Sequence, residues 1–215
     1  MTQSIKSVFD RIIAVECKHS SGRVDNGTAF WAKVNGVVKL ITASHIPWRQ
    51  LPPPPVKVIS GDTFDVSWSM TGGGAGQGAA RIYAHSQAPH IDYAWLEFDD
   101  PSLAPPGVNT PFPINVTPPA VDDPVVATGF PGLFVTPHPT PRYAIGLVHA
   151  VQPSPCIILV AGSACGGYSG GPAFNYIGEY TLGDEVVGLM SGAPDLRTQV
   201  DQANLYILLG AKEFV

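Results

Sequence analysis

Twenty-three glycines and 22 prolines are spread along the 215 residues of this chain, and they restrict its fold more than any other feature. In a helix interior glycine costs about 1 kcal/mol and proline about 3 kcal/mol relative to alanine, so little room is left for long helices. Short strand-like runs recur between turn signals instead, as sandwiches and barrels require. The sharpest hairpin is Ala32-Lys33-Val34-Asn35-Gly36-Val37-Val38, where Asn35-Gly36 suits a two-residue type I′ turn. Residues 4–11 have the pattern of one or two helical turns before the first strand. Proline and aspartate crowd residues 99–123, which reads as a linker, with Pro101, Pro105, Pro106, Pro111, Pro113, Pro118 and Pro119.

The apolar content of 45% can fill two small cores that share one interface. A net charge of −5 argues against nucleic acid as a partner, because phosphate binding needs a basic face. Three cysteines, Cys17, Cys156 and Cys165, are too few and too odd in number for a disulfide framework, so a reducing, intracellular setting is expected. Lys6, Asp10 and Arg11 interrupt the apolar stretch of residues 1–15, which leaves no signal-peptide core. The longest apolar runs fall far short of a membrane span, so no membrane partner is expected. The triplets at Asn26 and Asn115 have the glycosylation pattern, which carries little weight without secretion.

Three segments carry chemistry. Gly167-Tyr168-Ser169-Gly170-Gly171-Pro172 holds a serine in a glycine turn, where a hydroxyl and backbone N–H groups can converge on one point, as acyl transfer needs. A Gly-rich surface turn with an incidental serine has the same composition. Thr42-Ala43-Ser44-His45 closes the apolar run of residues 37–41, so the imidazole sits where a strand ends. Asp92 opens another strand-like run, Tyr93-Ala94-Trp95-Leu96-Glu97-Phe98. A serine hydroxyl is a poor nucleophile at neutral pH; it needs a base near pKa 7, and that base needs an anion to fix its tautomer.

In these three motifs, in the order His, Asp, Ser, the chain resembles trypsin-like (chymotrypsin-fold) serine proteases. Further matches are Gly27-Thr28-Ala29-Phe30, Gly129-Phe130-Pro131-Gly132 and Val186-Val187-Gly188-Leu189-Met190-Ser191-Gly192, so the resemblance runs from about Ile12 to about Leu209. It implies an all-β fold of two six-stranded antiparallel barrels with the active site between them: a barrel over residues 1–100, a linker over 101–122 and a barrel over 123–215. It implies His45 as general base, Asp92 as its orienting anion, Ser169 as nucleophile, and the N–H groups of Gly167 and Ser169 as the oxyanion hole. Ser163 would lie at the base of the specificity pocket, Cys165 on its wall, and Met190, Ser191, Gly192 and Ala193 opposite. An uncharged base disfavours Lys or Arg before the scissile bond, since a buried charge needs a partner.

The chain also departs from that family. Ile46 stands where secreted members have a cysteine after the histidine, and Tyr168 where zymogen-type members have the aspartate that receives a new N-terminus. The resemblance is therefore closer to the bacterial, intracellular and viral branches. Ala164-Cys165-Gly166-Gly167 is similar to the Cys-Gly-Gly of picornavirus-type cysteine proteases, which makes Cys165 the competing nucleophile.

Other motifs have plainer readings. Pro52-Pro53-Pro54-Pro55 reads as a stiff loop. The glycines of residues 72–78 lack the Lys and Ser/Thr of a phosphate loop and suit a hairpin tip. His85 and His90 read as surface residues, and His149 as facing either the specificity pocket or solvent. Cysteine and histidine spacing gives no zinc site, and no cofactor is expected. The expected activity is a serine endopeptidase acting on a peptide or polyprotein; the alternative is a protease-like fold kept as a peptide-binding or scaffolding module.

Overall fold

The computed structural model describes residues 1–18, 22, 24–47, 58–84, 92–131, 139–162, 164, 167–192 and 205–214, without the side chains of 58–63, 82–84 and 192. Six strands close the first barrel: β2 (Ile12–Lys18), β3 (Val24–Val34), β4 (Val37–Thr42), β5 (Val58–Ser69), β6 (Ala75–Ala84) and β7 (Ala94–Phe98), in the order β2-β3-β4-β7-β6-β5. All neighbours are antiparallel. Alternation of buried and outward residues drives closure, as in β7, where Ala94, Leu96 and Phe98 point inward. Asn35 and Gly36 take φ values of 47° and 82°, the type I′ geometry that joins β3 to β4. The glycine stretch forms the β5–β6 tip, although Gly76 and Gly78 belong to β6 itself. A Cβ on Gly76 would lie 2.6 Å from the Trp68 ring, so the glycine makes room for that indole.

The second barrel contains β8 (Pro124–Gly129), β9 (Arg142–Pro153), β10 (Cys156–Gly162), β11 (Pro172–Gly178), β12 (Thr181–Gly192) and β13 (Leu205–Gly210), in the order β12-β11-β8-β9-β10-β13. Pairing of β13 with the Gly188–Gly192 end of β12 completes the ring. The opposite end of β12, at Thr181–Gly183, pairs with β1 (Thr2–Ser4). A short helix, α1 (Ile5–Phe9), follows, capped by the Ser4 hydroxyl and burying Ile5 and Val8. The N-terminal segment thus crosses from one barrel to the other.

The linker is pinned rather than loose. Its 3-10 turn (Pro101–Leu103) is capped by Asp100, and two indoles hold its carbonyls: Trp68 Nε1 donates to Leu103 at 2.9 Å and Trp31 Nε1 to Pro105 at 3.1 Å. Phe112 is fully buried, with Phe30 of β3 at 6.1 Å and Phe174 of β11 at 5.3 Å between ring centroids. One apolar cluster therefore spans both barrels, from Ile13 and Phe30 to Phe174 and Leu189, and a second, with Val148, Ile158 and Tyr206, lies within the second barrel. Among the described residues, no helix is long and apolar enough to cross a membrane.

Candidate active site

The strand order explains why His45 and Asp92 meet although 47 positions apart in the sequence. β4 and β7 are antiparallel neighbours with Thr42 opposite Ala94, so the exit of one strand lies beside the entry of the other. His45 Nδ1 is 2.7 Å from Asp92 Oδ2, and its backbone N–H donates to Oδ1 at 3.0 Å. Two hydroxyls complete the shell: Ser44 Oγ donates to Oδ1 at 2.7 Å and Ser191 Oγ to Oδ2 at 2.8 Å. Burial pushes the Asp92 carboxyl up, but the bonds from His45, Ser44 and Ser191 and the charge of His45 outweigh it and hold it below the usual carboxylate range. An ionised carboxylate only accepts, so Nδ1 carries the proton and a neutral His45 presents a lone pair on Nε2.

The serine turn belongs to the second barrel, and its backbone groups can be traced one by one. Tyr168 C=O accepts from Gly171 N–H at 2.8 Å, Gly170 N–H donates to Met190 C=O at 2.7 Å, and Met190 N–H donates to Gly171 C=O at 2.9 Å. Gly167 and Gly170 take φ values of 97° and 82°, which favour glycine. A Cβ on Gly170 would also overlap the Thr28 carbonyl oxygen and the Thr42 hydroxyl and come within 2.8 Å of Ala43 N. The turn thus sits on the end of β4, close in sequence to His45. Among the described residues, the N–H groups of Gly167 and Ser169 have no hydrogen-bond acceptor.

The remaining expectations fall in different places. Ser163, Cys165, Ala193, His85, His90 and residues 52–55 lie outside the described residues. His149 is exposed on β9. Met190 is buried and serves the serine turn through its backbone. Ser191 and Gly192 end β12 as the final hairpin requires, but the Ser191 hydroxyl is committed to Asp92, a bond the sequence did not reveal. Ser44 was legible only as part of the histidine motif. Thr28, fully buried in β3, is legible only as part of the Gly27-Thr28-Ala29-Phe30 match, yet its N–H donates to Ser169 C=O and its hydroxyl to Gly167 C=O, both at 2.8 Å. Cys17 and Cys156 are free and buried; burial, then the charges of Asp25 and Glu16, push the Cys17 thiol up to about 12. Among the described residues, no group of three His, Cys, Asp or Glu could hold a metal ion.

Two antiparallel six-stranded rings, with a His–Asp pair on one and a serine turn of the other packed against the same strand end, define the chymotrypsin-like protease fold. No protein-family model matches the chain, and no curated protein sequence does. Solved structures do. The chain is similar to the Rv3671c protease from M. tuberculosis in its active form, with 19% identity, a TM-score of 0.61 and coverage of 97% of this chain and 79% of that one. It is similar to the thermostable serine protease AL20 from an extremophilic microorganism, with 17% identity, a TM-score of 0.63 and coverage of 94% and 92%. Against the serine endoprotease from Yersinia pestis, identity is 16%, the TM-score is 0.58 and coverage is 97% of this chain, which spans 62% of the other. At such identities the likeness establishes the fold.

Proposed function

We propose that this chain is a serine endopeptidase in which Ser169 is the nucleophile, His45 the general base, Asp92 its anion, and the N–H groups of Gly167 and Ser169 the oxyanion donors. The observation that carries this reading is the His45–Asp92 pair, whose carboxylate receives donors from both barrels at the seam where the serine turn packs. With Nδ1 protonated, Nε2 takes the proton from Ser169 Oγ as the oxygen attacks the scissile carbonyl carbon. The resulting imidazolium is stabilised by Asp92, and the oxyanion is met by N–H groups that nothing else in the described residues occupies. His45 then returns the proton to the leaving amine, and water repeats the sequence on the acyl-enzyme. No cofactor takes part in this scheme. The fold is shared with proteins named as serine proteases, which supports the same class.

The substrate class implied is a peptide, with a polyprotein among the candidates, and the free thiols of Cys17 and Cys156 support an intracellular setting. An activated ester is the direct test. Purified protein should release a burst of leaving group equal to the enzyme concentration before steady turnover, and Ser169→Ala should abolish it. A wild-type protein without burst or turnover would favour the peptide-binding module instead.

A further inference from the structure

We propose that Thr28, on the first barrel, is a positioning residue that sets the serine turn of the second barrel for oxyanion binding, so that the turn is competent only while the two barrels are docked. The proposal rests on the serine endopeptidase reading above. A trans peptide unit points its N–H and C=O in opposite directions. Ser169 N–H shares a unit with Tyr168 C=O, which is drawn inward by Gly171 N–H, so the Ser169 N–H is turned the other way. That orientation persists only if the units on either side cannot rotate. Glycines at 167 and 170 make rotation easy, because they tolerate dihedrals closed to other residues.

Thr28 blocks rotation on both sides. Its hydroxyl donates to Gly167 C=O, in the unit before, and its N–H donates to Ser169 C=O, in the unit after, each at 2.8 Å. The hydroxyl has one proton, and its direction is fixed because Phe130 N–H donates to the same oxygen at 3.1 Å. Thr28 C=O in turn accepts from Thr42 Oγ1 at 2.7 Å, which ties the clamp to the strand that delivers His45. Thr28 is fully buried, so water does not replace a lost hydroxyl. The clamp therefore links the base and the oxyanion turn across the barrel seam.

Thr28→Val keeps the shape and the N–H but removes the hydroxyl. It should lower kcat on the order of 10²-fold, the scale of losing one oxyanion donor, with KM within about threefold. Affinity for a peptide boronate should fall with kcat/KM, and Thr28→Ser should restore both. Hydrogen exchange should rise in residues 167–171 of Thr28→Val but not of Thr28→Ser, and leave β2–β7 unchanged. If Thr28→Val does not fold, Thr28→Cys, whose thiol is a weaker donor, should show the same local rise and the same split. Unchanged exchange at 167–171, a uniform rise through both barrels, or failure of Thr28→Ser to restore kcat would overturn the proposal. If the wild type hydrolyses no peptide, the endopeptidase reading fails, and the exchange comparison still decides whether Thr28 sets the turn.

Discussion

The Ser191 hydroxyl reaches from the second barrel to Asp92 Oδ2 at 2.8 Å, the same oxygen that receives His45 Nδ1. The anion of the His–Asp pair is thus held by the barrel that carries the serine turn. Hydrogen bonds to a charged group contribute about 1.5–3 kcal/mol, part of which remains when the other donors stay in place. Ser191→Ala should therefore lower kcat about tenfold with KM nearly unchanged, measured on a peptide substrate. A large KM effect with kcat intact would mean that Ser191 serves the pocket wall instead.

Asp92→Asn removes the acceptor that fixes the His45 tautomer. Turnover should fall on the order of 10⁴-fold. Asp99→Asn should remain close to wild type, because Asp99 pairs with exposed Arg81 at 2.9 Å on the surface, where such pairs contribute little. Steady-state kinetics of the two variants side by side distinguishes the strand register shown here from one in which Asp99 faces His45.

Acid unfolding should carry the signature of Asp92. Its carboxyl is held below its ordinary value in the folded chain, so ionised Asp92 stabilises the fold. That contribution is complete well above the unfolded value near 3.9 and is lost as pH falls through the lower folded value. Between about pH 5 and pH 2, stability should drop less steeply in Asp92→Asn than in wild type, as read from urea midpoints along the pH series. Parallel curves would show that the carboxyl has no depressed value.

A feature is legible in the sequence where its signal is local. Asn35-Gly36 fixes a turn by its own dihedral preferences, and the structure has that turn. His45 and Asp92 were legible because each ends or opens an apolar run, and neighbouring antiparallel strands bring such ends together. The hydrogen bonds of Ser44, Ser191 and Thr28 are not legible in this way. A hydroxyl side chain is an ordinary residue in a sequence, and its partner is decided by tertiary packing between segments 48 to 139 positions apart. The proline-rich linker read as a spacer, yet Phe112 within it is buried against both barrels, since proline density says nothing of where one aromatic side chain goes.

Gly170→Ala tests the packing of the serine turn. The added Cβ would sit at a φ of 82° and overlap the Thr28 carbonyl oxygen, which is backbone and cannot swing away. Dihedral strain and overpacking together should destabilise the chain by about 2–4 kcal/mol, seen as a lower urea midpoint. An unchanged midpoint would mean that the turn does not lie against β3 and β4.

Whether Ser169 is the nucleophile of a serine endopeptidase is decided by covalent labelling with a fluorophosphonate followed by peptide mapping. A fluorophosphonate phosphonylates a serine oxygen only where a base and oxyanion donors activate it. The expected result is stoichiometric label on the peptide containing Ser169, lost in Ser169→Ala and His45→Ala and retained in Cys165→Ala. Label that survives Ser169→Ala and disappears with Cys165→Ala, or no label on the wild-type chain, would contradict it.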